Sequence, residues 1–151
     1  MNHLEYFTLA SSAQTHWRSA INGQDWTAAR FLAGILAKDH FHTMFGEESR
    51  LLLATDGDAL AGFCTYARQD EIHAPTLFPW IGFVFTAPEY RGLRLAGQLI
   101  DHACAIARSE EHDRIYISTD HVGLYEKYGF TYLRDMPDPS GAPCRVYARD
   151  L

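Results

Sequence analysis

The sequence predicts a single α/β domain over residues 1–151, in which helices cover both faces of one mixed β-sheet. Three observations lead to this prediction. Short β-prone runs alternate with amphipathic helical patterns along the chain. Two of these runs are joined by Asp56-Gly57-Asp58, which is a strong hairpin signal. A later apolar run passes through a small basic turn directly into a long helix. No internal repeat or linker divides the chain.

The first half of the chain predicts one strand followed by two helices. The strand is expected at 4–9, and a Ser11-Ser12 cap then starts a helix that Asn22-Gly23 ends. The second helix begins at Asp25 or Thr27, and its buried stripe is Phe31, Leu32, Ile35 and Leu36. Residues 39–49 are predicted to be irregular and polar.

The second half predicts the rest of a β-α-α-β-β-β-α-β-α-β-β order. The hairpin strands cover 51–55 and 60–66, and a loop at 69–78 leads to a strand at 80–86. The long helix follows, with Leu95, Leu99, Ile100, Ala103, Ile106 and Ala107 on one face. Next come a strand at 115–119, an Asp120 N-cap, a helix at 122–128 closed by Gly129, a polar loop at 135–143 and a last strand at 145–148.

Composition narrows the classes of function. A chain of 151 residues that is 47% apolar suits one compact core, and no apolar run is long enough to span a membrane. A signal peptide is not expected, because the first residues lack a basic region followed by an apolar stretch. Cys64, Cys104 and Cys144 are far apart, which predicts reduced thiols in a cytoplasmic protein. The net charge of −6 argues against binding nucleic acid or an anionic membrane.

The turn at 91–97, Arg-Gly-Leu-Arg-Leu-Ala-Gly, indicates a ligand that carries phosphate. A helix start exposes unpaired backbone N–H groups and the positive end of the helix dipole. Glycine lets a phosphate approach this backbone closely, and the arginines add charge. The turn lacks both the Gly-Lys-Ser/Thr ending of a Walker loop and the Gly-x-Gly-x-x-Gly of dinucleotide binders.

The turn resembles the acetyl-CoA-binding motif of the GNAT-type N-acetyltransferases, Gln/Arg-x-x-Gly-x-Gly/Ala at a helix start. Arg91 fills the first position and Ala96 the last, while Arg94 stands where the family usually has its middle glycine. An arginine there still offers its N–H, with the side chain turned outward, provided that φ stays negative. Residues 124–130, Leu-Tyr-Glu-Lys-Tyr-Gly-Phe, resemble the family's late Leu-Tyr-Glu-Lys-x-Gly-Phe signature. The element order also matches the GNAT fold.

The resemblance implies acetyl transfer from acetyl-CoA to an amine. It also implies an anchor for the cofactor pyrophosphate on the turn backbone and a strand end that offers free amide groups to the pantetheine arm. The residues implied for cofactor binding are Val84, Phe85, Thr86, Arg91, Gly92, Leu93, Arg94, Leu95, Ala96 and Gly97. Tyr125 matches the tyrosine near the CoA sulfur in many members, which implies a general acid that protonates the leaving thiolate.

The general base stays open at this point. Many members carry a glutamate on the cofactor strand, where this chain has Gly82. The alternatives are Asp70, Glu71 and His73 after the preceding strand, Asp120 and His121 near Tyr125, or water acting on the small unprotonated fraction of the amine. No metal site is expected, because His40 and His42 have no acidic or thiol partner at ligand spacing. By fold analogy they line the acceptor side together with Glu47 and Glu48.

The leading hypothesis is an acetyl-CoA-dependent N-acetyltransferase that acts on a small molecule or peptide amine, by direct transfer in a ternary complex. The alternative is a non-catalytic domain that binds acyl-CoA as a sensor or as part of a complex. An exposed last strand would also leave room for a homodimer.

Overall fold

The computed structural model describes every residue from Met1 to Leu151 and is built around one seven-stranded sheet. Its strand order is β1-β2-β3-β4-β5-β7-β6. The strands are β1 (Asn2–Glu5), β2 (Arg50–Asp56), β3 (Ala59–Ala67), β4 (Trp80–Thr86), β5 (Arg114–Thr119), β6 (Thr131–Pro137) and β7 (Pro143–Asp150). Only β4 and β5 run parallel, and every other neighbouring pair is antiparallel. The predicted mixed sheet is therefore confirmed.

Four α-helices cover the two faces of the sheet, as the sequence predicts. They are α1 (Ser11–Asn22), α2 (Thr27–Ala37), α3 (Phe41–Phe45) and α4 (Leu95–Ser109). The first three pack against β2 and β3 on one face, and α4 packs on the opposite face. Short 3₁₀ turns lie at Tyr6–Thr8, Pro88–Tyr90 and Tyr125–Tyr128. No helix is long and apolar enough to cross a bilayer.

Glycines with positive φ or without room for a Cβ set several turns and strand contacts at the positions that the sequence predicts. Gly57 has φ +58° in the turn between β2 and β3, a conformation that side chains disfavour. Gly129 has φ +89° and closes the 3₁₀ turn that starts at Tyr125. A Cβ on Gly62 would lie 2.5 Å from the Phe85 carbonyl oxygen and 3.2 Å from Leu95. Only a glycine therefore lets β4 and the start of α4 sit this close to β3.

Three predicted elements differ from the structure in extent. The first strand ends at Glu5, because the chain turns into the 3₁₀ segment there. Residues 41–45 are helical, although the sequence predicts an irregular segment. The helix predicted at 122–128 is only the 3₁₀ turn from Tyr125, since Gly123 adopts φ +85° and donates its N–H to the Glu126 carboxylate. Asp120 makes no cap, and the Thr119 hydroxyl oxygen instead accepts the His121 N–H.

Two predictions about exposure are wrong. Phe31 does not belong to the buried stripe of α2: its side chain is 55% exposed, because it lies on the side of the helix that faces a cavity. The last strand is not an exposed edge either. β7 pairs with β5 on one side and β6 on the other, since the chain doubles back through a hairpin at 137–143. The free edges of the sheet are β1 and β6.

Candidate functional site

The sheet opens between β4 and β5. Their pairing consists of Trp80 with Tyr116 and Ile81 with Ile117, and it stops there. On its other side β4 stays paired with β3 as far as Thr86. The backbone from Gly82 to Thr86 therefore has amide groups along one edge with no strand partner. This is the splayed strand end that the resemblance implies.

A β-bulge in β4 decides what lines this opening. Thr65 pairs with Gly82 and Phe63 with Phe85, so β4 has one residue more than β3 between these pairs. The bulge contains Phe83, whose φ is +50°. As a result Phe83 and Phe85 both pack toward α1 and α2, while Val84 packs toward α4. One edge of the opening is therefore aromatic on the α2 side and aliphatic on the α4 side.

The turn before α4 presents a row of free donors. None of the backbone N–H groups from Gly92 to Gly97 donates to an acceptor in the protein, because α4 begins only at Leu95. Gly92 has φ +83° and no atom within 4 Å of a Cβ built on it, so the turn is open to a ligand. Such a row at a helix start is an anion-binding arrangement.

Arg94 departs from the sequence prediction. Its φ is +58°, in the left-handed region, and not negative as the motif comparison required. The geometry of the turn thus demands the conformation that glycine adopts freely, and arginine adopts it under strain. The Arg94 N–H is nevertheless free, and the side chain is exposed, as expected. Arg91 binds the turn to the end of β4, because its Nε donates to the Thr86 carbonyl at 3.2 Å.

Tyr125 lies on the α4 side of the opening. Its ring is buried in the core that contains Leu95 and Leu99, and its hydroxyl makes no hydrogen bond with another residue. Burial raises the pKa of Tyr125 to about 12, and the nearby Cys64 thiol and Tyr128 add to this rise. The phenol therefore stays protonated at neutral pH. The Tyr128 ring would lie 3.1 Å from a Cβ on Gly97, so α4 starts directly against this segment.

Asp70 lies on the opposite side of the opening, against β4. A Cβ on Gly82 would be 2.7 Å from Asp70 Oδ1 and 3.0 Å from Thr65 Oγ1. Both oxygens are buried and have no hydrogen-bond partner. Desolvation raises the pKa of the Asp70 carboxyl to about 7, with a smaller contribution from the charge of Glu71, while a backbone hydrogen bond opposes the rise. The side chain therefore changes charge near neutral pH.

The loop that carries Asp70 is fixed at both of its flanks. The N–H groups of Arg68 and Gln69 donate to the Phe45 carbonyl, and Gln69 Nε2 donates to the Met44 carbonyl at 2.7 Å. After Asp70, Ser118 at the end of β5 donates its hydroxyl to Glu71 Oε1 at 3.3 Å. The carboxyl is thus held in position by α3 and by the strand across the opening.

A cavity of about 810 Å³ extends from this carboxyl toward α2 and α3. It is lined by Trp26, Thr27, Ala28, Phe31, Met44, Phe45, Asp70, Glu71, Gly82, Phe83, Ser118 and Pro139. Of the base candidates, only Asp70 and Glu71 line it, while His73, Asp120 and His121 do not.

The cavity walls differ from those expected by analogy. His40, His42, Glu47 and Glu48 do not line the cavity, and their segment contributes Met44 and Phe45 instead. This segment folds as α3, and His42 Nε2 contacts the Ser49 carbonyl at 3.2 Å. No group of three or more His, Cys, Asp or Glu side chains is arranged to bind a metal ion.

Trp26, Phe31 and Met44 are the site residues that sequence reasoning missed. Trp26 directly precedes α2, and its ring stacks on Phe85 at 5.4 Å between centroids. For Phe31, the sequence signal of a role outside the core was the width of the apolar stripe on α2. Phe31 lies next to Leu32 at its border, where the stripe is wider than one buried face requires.

The fold and the site define an acyl-CoA-dependent acyltransferase architecture. The sequence profile of the acetyltransferase (GNAT) family matches residues 13–130. The chain belongs to the GNAT acetyltransferase family and is an acyltransferase. No curated protein sequence matches it.

Solved structures share the whole fold at low sequence identity. An aminoglycoside 6'-acetyltransferase type Ii is 18% identical with a TM-score of 0.73, covering 99% of this chain and 97% of that one. An aminoglycoside 6'-N-acetyltransferase complexed with coenzyme A is 14% identical with a TM-score of 0.70 and the same coverage. A GNAT family acetyltransferase from Elizabethkingia anophelis with acetyl-CoA bound is 16% identical with a TM-score of 0.56, covering 78% and 87%.

Replacing Arg94 by glycine is expected to stabilise the protein. The left-handed conformation costs a non-glycine residue about 1 kcal/mol, and glycine removes that cost. Arg94→Ala is the matched control, because it removes the same charge and keeps the strain. Chemical denaturation should give Arg94→Gly a free energy of unfolding about 0.5–1 kcal/mol above that of Arg94→Ala. Equal stability of the two variants would contradict the strained turn.

Asp70→Asn is expected to stabilise the protein at high pH only. The unfolded carboxyl ionises near pH 4 and the folded one near pH 7, so wild-type stability falls as pH rises between these values. Asp70→Asn has no carboxyl to ionise at this position, so its stability does not fall in this way. Its advantage in unfolding free energy over wild type should therefore grow by about 3–4 kcal/mol from pH 4 to pH 8. Asp58→Asn, in the exposed β2–β3 turn, controls for the lost charge. An advantage that does not change with pH refutes the burial argument.

Proposed function

We propose that this chain transfers an acetyl group from acetyl-CoA to the primary amine of a small molecule or peptide, by direct transfer within a ternary complex. One observation carries the proposal: the opening between β4 and β5 has the free N–H row of α4 on one side and the Asp70 carboxyl on the other. A cofactor and an acceptor can thus meet through the sheet. Coenzyme A or acetyl-CoA bound in two similarly folded proteins supports acetyl-CoA as the cofactor.

The cofactor is held mainly by backbone groups in this proposal. The N–H groups of Gly92, Leu93, Arg94, Leu95, Ala96 and Gly97 bind the pyrophosphate, and the side chains of Arg91 and Arg94 add positive charge. The free edge formed by Val84, Phe85 and Thr86 pairs with the amides of the pantetheine arm. The arm then runs along the opening and brings the thioester between Tyr125 and Asp70.

Asp70 is the general base of the proposed reaction. A glutamate side chain on β4 could not coexist with it, because a Cβ on Gly82 would already be 2.7 Å from its Oδ1. The carboxyl from the loop therefore occupies the space where the strand glutamate of other members would begin. A pKa of about 7 suits a base that must be ionised at neutral pH and still accept a proton from an ammonium group. The anchored loop keeps it in place.

Tyr125 stabilises the leaving group. With a pKa of about 12, the phenol is a weaker acid than a thiol, so complete proton transfer to the thiolate is unfavourable. Its hydroxyl has no protein partner to give up, and it donates a hydrogen bond to the sulfur as negative charge develops there. The family resemblance implies a general acid at Tyr125, and the raised pKa of the phenol is the reason that we propose a hydrogen-bond donor to the thiolate instead.

The reaction balances with the release of one proton. Asp70 removes a proton from the ammonium group, and the neutral nitrogen attacks the thioester carbon. The second N–H proton leaves as the carbon–sulfur bond breaks, and the departing thiolate takes up one proton. The products are the N-acetyl amine, CoA and one proton, which Asp70 returns to solvent.

Direct transfer is favoured over an acetyl-enzyme because no cysteine is activated. All three thiols are unpaired and buried, and burial raises the pKa of Cys64 to about 12 and that of Cys144 to about 11. Unpaired thiols also support the cytoplasm as the proposed location. A homodimer that forms by strand pairing would use the free edge of β1 or that of β6.

Acetyl-CoA is expected to raise the melting temperature of the protein, and Gly92→Asp is expected to abolish this rise. An aspartate there places a negative charge beside the N–H row that binds the pyrophosphate. A ligand at one hundred times its Kd adds about 2.7 kcal/mol of stability. Gly141→Asp is the matched control, because Gly141 has φ +87° and equally open surroundings but lies in the loop between β6 and β7, outside the proposed N–H row. No rise in wild type at millimolar acetyl-CoA would refute the proposal.

Asp70→Asn and Tyr125→Phe are expected to lower kcat while the acetyl-CoA melting shift is retained. Loss of the base should lower kcat about 10²–10⁴-fold at pH 8, and it should remove the rise of kcat/KM through pH 7 that the raised pKa of Asp70 predicts for wild type. Loss of the phenol hydrogen bond should cost about 10²-fold at every pH. Steady-state kinetics between pH 6 and 9 measure both effects.

The outcomes of this experiment separate the assignments. A rise through pH 7 that persists in Asp70→Asn belongs to another group and refutes the base. Unchanged kcat in Tyr125→Phe refutes the hydrogen-bond role. Acetyl-CoA binding without turnover on any amine would favour the non-catalytic acyl-CoA-binding alternative.

A further inference from the structure

We propose that the acceptor is a primary amine with one positive charge on a flat, apolar or aromatic body, and that the cavity beside Asp70 holds this body. The inference rests on the proposed function, because it names the acceptor class of the same site. It is argued from the cavity walls and from the charges that face the cavity.

The cavity walls are apolar where a ligand would touch them. Phe31 and Met44 are 55% and 42% exposed, and both line the cavity from different helices. Exposed apolar side chains mark a binding surface when they lie together in one patch, and these two lie in the walls of one cavity. Trp26 and Phe83 continue the wall toward the opening in the sheet, with ring centroids 6.4 Å apart. A ring inserted among these side chains would be held by stacking and edge contacts.

The charges in the cavity fit one ammonium group. Asp70 and Glu71 are the only ionisable side chains that line it, and no lysine, arginine or histidine does. Glu71 is exposed to solvent, which screens its charge, whereas Asp70 Oδ1 is buried and has no hydrogen-bond partner. The buried carboxylate is therefore the group that pairs with the ammonium group of the acceptor. An acceptor that carries its own carboxylate would find no positive side chain to pair with.

Polycationic sugars fit these walls poorly. Two of the similarly folded proteins are aminoglycoside acetyltransferases, but 14–18% identity extends only to the fold. An aminoglycoside would place several ammonium and hydroxyl groups against Phe31, Met44 and Trp26. Polar groups that lose water without gaining partners make binding unfavourable. We therefore expect this protein to share its fold with the aminoglycoside acetyltransferases and to act on a different class of acceptor.

The test compares three acceptors with acetyl-CoA: 2-phenylethylamine, ethylamine and kanamycin. The aromatic amine should have a kcat/KM at least about tenfold above each of the others, because its ring buries apolar area that ethylamine lacks. Amine binding to the CoA-loaded protein, measured by calorimetry, should follow the same order. Tighter binding of kanamycin, or equal binding of the two monoamines, overturns the inference.

Phe31→Ser should raise KM for 2-phenylethylamine about tenfold and raise KM for ethylamine by a much smaller factor, because only the aromatic acceptor has a ring that the Phe31 side chain can contact. The side chain is mostly exposed, so its loss should not impair folding. Arg30→Ser is the control on the same helix, since Arg30 lies outside this cavity. Equal effects of Phe31→Ser on both monoamines would refute the role of the ring.

Failure of the inference and failure of the proposed function look different. Rapid acetylation of kanamycin refutes the acceptor class and keeps the acetyltransferase. If no acetyl-CoA melting shift and no turnover are found, the proposed function fails. Calorimetric preference for the aromatic amine would still support the cavity assignment in that case, and its absence would refute it.

Discussion

The end of pairing between β4 and β5 is the constraint on which the rest of the site depends. A parallel pair that continued past Ile81 would satisfy its backbone internally and close the sheet. The bulge at Phe83 and the Glu71–Ser118 hydrogen bond hold the two strands in their separate positions. The opening therefore leaves free amides on one edge, and it connects the face covered by α4 with the face covered by α2.

The costs of this arrangement fall on a few residues around the opening. Phe83 and Arg94 both have positive φ, and Asp70 is a desolvated carboxyl. Each of these features destabilises the folded chain by about 1 kcal/mol or more. The other non-glycine residues with positive φ, Asp39 and Glu111, lie just after the ends of α2 and α4. Two apolar clusters with almost completely buried side chains fill the faces of the sheet. Only at the opening do two strained residues and a desolvated carboxyl occur together, which marks it as the region where function constrains the chain.

Much of the fold could be predicted from the sequence, because it depends on local signals. Asp56-Gly57-Asp58 specifies a hairpin, and the basic turn before Leu95 specifies a helix start. The site required long-range information that no motif supplies. The exposed position of Phe31 depends on the cavity that α3 and the Asp70 loop form around it. The positive φ of Arg94 depends on how the turn joins β4 to α4. Helical periodicity indicates only that the apolar stripe of α2 is wide, and it gives neither this cavity nor this φ.

Asp70, which we propose as the base, follows β3 on a loop, and its position shows why a search along the cofactor strand does not find such a carboxyl. The chemistry requires a carboxyl at a position in space, beside β4 and facing the acceptor cavity, and the chain position that supplies it is free to vary. In this protein Gly82 has no side chain, and the Asp70 carboxyl from the loop after β3 occupies the volume beside it. The two residues are therefore coupled, since either one excludes a larger group at the other. The opening thus keeps N–H donors on the α4 side and a buried carboxylate on the α2 side, which is the separation that the proposed anionic cofactor and cationic acceptor require.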